Sequence, residues 1–103
     1  MAYESGTFET ALAVAAGEDY ALLAELRLAY LESASRQLDL LRRSRCDGNW
    51  QVAALRLQGI AASFQDHELA DLAREVLGSA PGDPFVLRRV GQHLDKIGGQ
   101  VLI

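Results

Sequence analysis

Cysteine occurs once, at Cys46, and proline twice, at Pro81 and Pro84, in a chain of 103 residues. A lone cysteine excludes an internal disulfide, and no Cys or His partner stands at metal-ligand spacing from it. No apolar run approaches the ~20 residues of a membrane span. The start, Met1-Ala2-Tyr3-Glu4-Ser5, lacks the basic residues and apolar stretch of a secretory leader. Lysine occurs once, and 10 basic residues face 14 acidic ones for a net charge of −4. Nucleic-acid binding is disfavoured, because neutralising phosphates needs a net basic face. Val, Ile and Thr number only eleven, whereas Ala (16) and Leu (17) abound. That balance favours helix over strand. Half the residues are apolar and 23% charged, as in a folded chain with one core. The expectation is a soluble, cytoplasmic, all-α protein forming one domain over residues 1–103, with no membrane partner.

Local signals divide the chain into five helices. Thr7, followed by Phe8-Glu9-Thr10, reads as an N-cap for a short helix over roughly 8–16, which stops at Gly17. Asp19 caps a long helix over roughly 20–45. The apolar residues of its first half (Leu22, Leu23, Leu26, Leu28, Ala29, Tyr30, Leu31) cover a wide arc and predict packing on two sides. Ala34, Leu38 and Leu41 form a narrower stripe in the second half. Arg42, Arg43 and Arg45 at its C-terminal end are accounted for by the helix dipole.

Asp47-Gly48-Asn49 reads as a turn before a third helix over roughly 49–64. Trp50, Ala53, Ala54, Leu57, Ala61 and Phe64 recur there at core-facing spacing. After a turn at Gln65-Asp66, a fourth helix over roughly 67–78 directs Leu69, Leu72, Ala73, Val76 and Leu77 inward. Ser79-Ala80-Pro81-Gly82 breaks it. Asp83-Pro84 opens a fifth helix over roughly 84–98, with Val86 or Leu87, Val90, Leu94 and Ile97 inward and Gly98-Gly99 as its stop. Short links predict an up-and-down antiparallel four-helix bundle with a short N-terminal cap helix.

On the third helix, Gln51, Leu55, Gln58 and Ala62 share a stripe opposite the core residues, with Gly59 beside it. A mid-helix glycine costs up to ~1 kcal/mol relative to Ala. Either another chain approaches closely at Gly59, or a bulky side chain of a neighbouring helix needs the space.

The run Leu55-Arg56-Leu57-Gln58-Gly59-Ile60-Ala61-Ala62-Ser63-Phe64, followed by Glu68-Leu69-Ala70-Asp71-Leu72-Ala73, resembles the signature of histidine-containing phosphotransfer (HPt) domains. These are four-helix-bundle carriers of two-component phosphorelays. Their pattern has a His, any residue, Leu, Lys or Arg, Gly, a small residue, two Ala-like positions and an apolar residue, then a Leu/Ala-rich helix. Leu57, Gly59, Ala61, Ala62, Phe64, Leu69, Leu72 and Ala73 match, and the likeness extends over residues 18–97.

Two departures bear on chemistry. The phosphoacceptor His position holds Leu55, which has no lone pair, and the cation three residues on is Gln58, which is uncharged. A three-residue shift of register would put Gln58 at the His position, and Gln is no acceptor either. The resemblance therefore implies an HPt-like signalling module that is not phosphorylated at the usual position. It is not an enzyme, and it needs no metal or cofactor. It would dock a response-regulator receiver domain or a histidine kinase through Gln51, Leu55, Gln58, Gly59 and Ala62.

Two alternatives stand beside it. His67, at the start of the fourth helix, or His93, flanking the Val90–Leu94–Ile97 stripe as an ordinary partly exposed residue, would be the acceptor of a working phosphocarrier. Or the bundle is a helical adaptor or homo-oligomerisation module outside phosphorelays, in which Leu55 is buried. Asp66, Glu68 and Asp71 are acids expected in a first helical turn, and Ser63 has no evident base. The apolar tail Val101-Leu102-Ile103 would fold back on the bundle or join a dimer contact.

Overall fold

Among the described residues five helices follow one another: α1 Ala2–Ala16, α2 Tyr20–Arg43, α3 Asp47–Ser63, α4 His67–Leu77 and α5 Pro84–Val101. The computed structural model describes the backbone of residues 2–101 and the side chains of residues 7–99, and no strand occurs among the described residues. Leu102 and Ile103, named above as a tail, lie outside them.

The fold is all-α, as the Ala/Leu excess implies. α3 packs on α2 and α4, α5 packs on α2 and α4, and α1 lies against α2 and α4. The apolar stripes meet in one core, whose fully buried large members are Trp50, Tyr30, Leu12, Leu41, Leu57, Leu69, Val76 and Val90. Burying each such side chain stabilises the fold by about 1.5–3 kcal/mol. Tyr30 is the aromatic centre of one end. Its ring lies 4.9 Å from that of Phe8 on α1 and 5.0 Å from that of Phe64 at the C-cap of α3.

The starts of α2, α4 and α5 are set by aspartates. Asp19 accepts from the Leu22 backbone N–H at 3.1 Å, Asp66 from Leu69 at 3.2 Å and Asp83 from Phe85 at 2.9 Å. Gly17, with φ +67°, closes α1 in the left-handed conformation that costs a glycine nothing.

Several expectations are corrected. Thr7 does not cap α1 but lies within it, and its hydroxyl donates to the Gln65 carbonyl at 3.2 Å, tying α1 to the α3–α4 turn. The first half of α2 is not packed on two sides: Leu22 and Leu28 face solvent, while Leu23, Leu26 and Leu31 are half-buried. Asp47-Gly48-Asn49 is the first turn of α3, not a loop, and places Asp47 at the positive end of the helix dipole. α2 ends at Arg43, two residues early, with the Ser44 N–H bonded to the Leu41 carbonyl. α5 runs through Gly98 and Gly99 to Val101, and Gly98 packs beneath Leu31 rather than terminating the helix. Phe64 is half-buried at the end of α3 rather than a full core member.

Candidate functional site

The core side of α3 is closed by Leu57 and Ala61, both fully buried, against α2 and α4. Its opposite side is therefore turned to solvent. Leu55 is 55% exposed and Val52 48%, and three-residue spacing makes them neighbours on that side. Gly48, Gln51, Gly59 and Ala62 are exposed around them, and Gln58 is half-buried. A Cβ built at Gly59 meets nothing within 4 Å. Among the described residues no neighbouring helix uses the space, so none of their side chains accounts for the mid-helix glycine.

The α2 flank of this face is cationic. A groove between the helices is lined by Leu40, Val52 and Ala53 below and by Arg43, Asn49 and Arg56 at its rim. Arg43 is engaged by Asp39 at 2.9 Å, whereas Arg56 has no acidic partner among the described residues. Arg45 points back to the Arg42 and Ser44 carbonyls at 3.5 and 3.4 Å, as dipole compensation requires. Ser63 donates to the Gly59 carbonyl at 2.9 Å, one turn back, and is not set up as a nucleophile.

No protein-family model matches the chain, and neither a curated protein nor a solved structure is significantly similar to it.

Away from this face lies a buried polar cluster that the sequence patterns do not reveal. Asp66 is 2% exposed and accepts from three directions: the Tyr30 hydroxyl at 2.5 Å, His93 Nε2 at 2.8 Å and the Leu69 backbone N–H. Burial alone would raise the Asp66 pKa. Hydrogen bonds from His93 and Tyr30, the attraction of His93 and the Leu69 N–H outweigh it and hold the carboxyl below its ordinary value. Burial first, then the Asp66 charge and hydrogen bond, push the Tyr30 hydroxyl far up, so it stays a donor.

His93 is thus a buried residue, not a partly exposed one: it is 7% exposed because Asp66 draws it inward. His67, the first residue of α4, is exposed. Of the three acids at the start of α4, Asp66 caps the helix and joins this cluster. Glu68 borders it, and Asp71 pairs with Arg74. The sequence holds two partial signals of the cluster that the periodicity reading passes over: a Tyr on a core stripe, whose hydroxyl must find a partner, and an Asp at a helix start. Neither identified the other. Among the described residues, no group of three or more His, Cys, Asp or Glu side chains is placed to hold a metal ion.

Proposed function

We propose that this chain is an HPt-like docking module of a two-component phosphorelay, which binds a response-regulator receiver domain through the outer face of α3 without carrying phosphate. The exposure of Leu55 carries the reading. A large apolar side chain stands open at the position where the resembling family holds its His, beside a glycine over which none of the described residues lies. An apolar centre with a polar surround suits a protein interface. The surround here is Gln51 and Gln58 on one side and Arg43 and Arg56 on the other. The cationic flank favours a partner with an acidic margin.

The order in which the helices pack supports the same reading. α2, α3, α4 and α5 each touch the next, and α5 returns to α2, as an up-and-down four-helix bundle requires, with α1 as the added cap. The burial of His93 against Asp66 argues against its use as a phosphoacceptor, since the Nε2 atom is already engaged.

The test is binding of purified receiver and histidine-kinase domains encoded in the same genome, wild type against Leu55→Asp. Binding to a receiver, weakened roughly 30-fold or more by Leu55→Asp as for a central interface residue, supports the reading. Receiver binding that survives the substitution, or no receiver binding at all, removes it. Binding to a kinase domain alone reassigns the partner. Acid-labile, base-stable phosphate on the wild type after incubation with a phosphorylated receiver would make the exposed His67 the acceptor and the protein a carrier.

A further inference from the structure

The two ring nitrogens of His93 face two different carboxylates. Nε2 lies 2.8 Å from Asp66 Oδ2 and 3.0 Å from Oδ1, and Nδ1 lies 3.2 Å from Glu68 Oε2. A neutral imidazole offers one N–H and one lone pair. Either tautomer therefore sets a lone pair against a carboxylate, and only the doubly protonated ring presents a donor to each. The two sides are unequal. The Asp66 side is fully buried and hydrogen-bonded, whereas Nδ1 faces Glu68 without hydrogen-bond alignment, and Glu68 is about one-third exposed.

The surrounding charges sharpen this asymmetry. From α2, Tyr30 donates to Asp66, and from α4 the Leu69 N–H does the same, so Asp66 is held whatever happens at Nδ1. From α5, Lys96 lies 3.4 Å from the same Glu68 oxygen that faces Nδ1 and offers it an alternative partner. Of the other charged groups in the groove between α4 and α5, Arg89 and Glu75 pair with each other and Asp71 pairs with Arg74. On α1, Glu9 is engaged by Arg27.

We propose that Asp66, His93 and Glu68 form a proton-operated latch between the start of α4 and α5, closed when the imidazole carries both protons and released on the Glu68 side when it carries one. In the doubly protonated state each ring nitrogen presents an N–H to a carboxylate, so only in that state does the ring tie Glu68 as well as Asp66 to α5. Deprotonation leaves the Nδ1 lone pair facing Glu68, which turns to Lys96 and solvent, and the first turn of α4 loses its side-chain tie to α5. Asp66 keeps the remaining Nε2–H, so the helix cap and the fold survive.

Two measurements on the whole protein test this. In the first, the ring ¹⁵N resonances of wild-type His93 are followed between pH 5.5 and pH 9. Both nitrogens are expected to show the protonated signature at the lower end. Nδ1 alone should change to the unprotonated signature at the upper end. In the second, urea unfolding compares wild type with Glu68→Gln across the same range. The folding equilibrium constant of wild type is expected to exceed that of Glu68→Gln roughly fivefold near pH 5.5, the size of a partly exposed ion pair. The order should reverse near pH 9, where an amide can donate to the Nδ1 lone pair and a carboxylate cannot. Ring signals that do not change over this range, a change at Nε2 instead, or a wild-type to Glu68→Gln ratio independent of pH would each overturn the proposal. The resonance measurement needs no substitution, and Glu68 is peripheral enough that its variant folds.

Discussion

The indole Nε1 of Trp50 on α3 donates to the main-chain carbonyl of Val76 on α4 at 2.8 Å, with both residues fully buried. Val76 is in the last turn of α4, and its carbonyl also accepts from the Ser79 backbone N–H at 3.0 Å. The indole thus serves as a side-chain cap for α4 as well as core volume, and it joins the two helices at a fixed height. Trp50→Phe keeps most of the ring and removes the donor. It is expected to destabilise the protein by about 0.5–1.5 kcal/mol, the net worth of one hydrogen bond to an acceptor that keeps a second donor in the Ser79 N–H. Trp50→Ala adds a cavity and should cost about 3–5 kcal/mol. Urea unfolding followed by far-UV circular dichroism distinguishes them. A Trp50→Phe midpoint equal to that of wild type would show that the bond adds nothing.

Asp66 gives the protein an acid limb in its stability profile. Its folded pKa lies below the unfolded value. Its contribution is therefore fully present above the unfolded pKa of about 3.9 and is lost as pH falls through the folded value. Asp66→Asn should be clearly less stable than wild type at pH 6–7, and the gap should narrow steadily below about pH 4. Tyr30→Phe, which removes one of the donors to Asp66, should cost about 1–3 kcal/mol at neutral pH. A gap between wild type and Asp66→Asn that is unchanged at pH 3 would contradict the assignment.

Gly59 separates stability from docking. Because nothing within 4 Å meets a new Cβ there, Gly59→Ala should stabilise the fold by up to about 1 kcal/mol through helix propensity. The same methyl group stands where the proposed partner approaches, so receiver binding should weaken while thermal stability rises. A variant that is more stable and binds as well as wild type would move the interface off this part of α3.

The helices themselves were legible because their signals are local. Asp19 and Asp83 cap α2 and α5 with the bonds that their positions imply, and the Trp50–Ala53–Ala54–Leu57–Ala61 stripe is buried as its spacing requires. Where a local signal misled, a distant contact had overridden it. The hydroxyl of Thr7 went to Gln65, which is 58 residues away. Gly98 stayed helical beneath Leu31 of α2. His93, taken as a residue on the margin of a stripe, was drawn inward by Asp66, 27 residues before it.

The sequence by itself determined the all-α class, the five helices seen among the described residues and the core side of α3, α4 and α5. It also placed Leu55 on the outer side of α3, because residue spacing on a helix is a property of the backbone alone. Only the tertiary structure decided that none of the described residues covers Leu55 and Gly59. It alone brought Tyr30, Asp66 and His93 together from three separate segments. A buried polar group must find a partner wherever the fold can supply one, and such a demand sets no sequence spacing that could be read in advance.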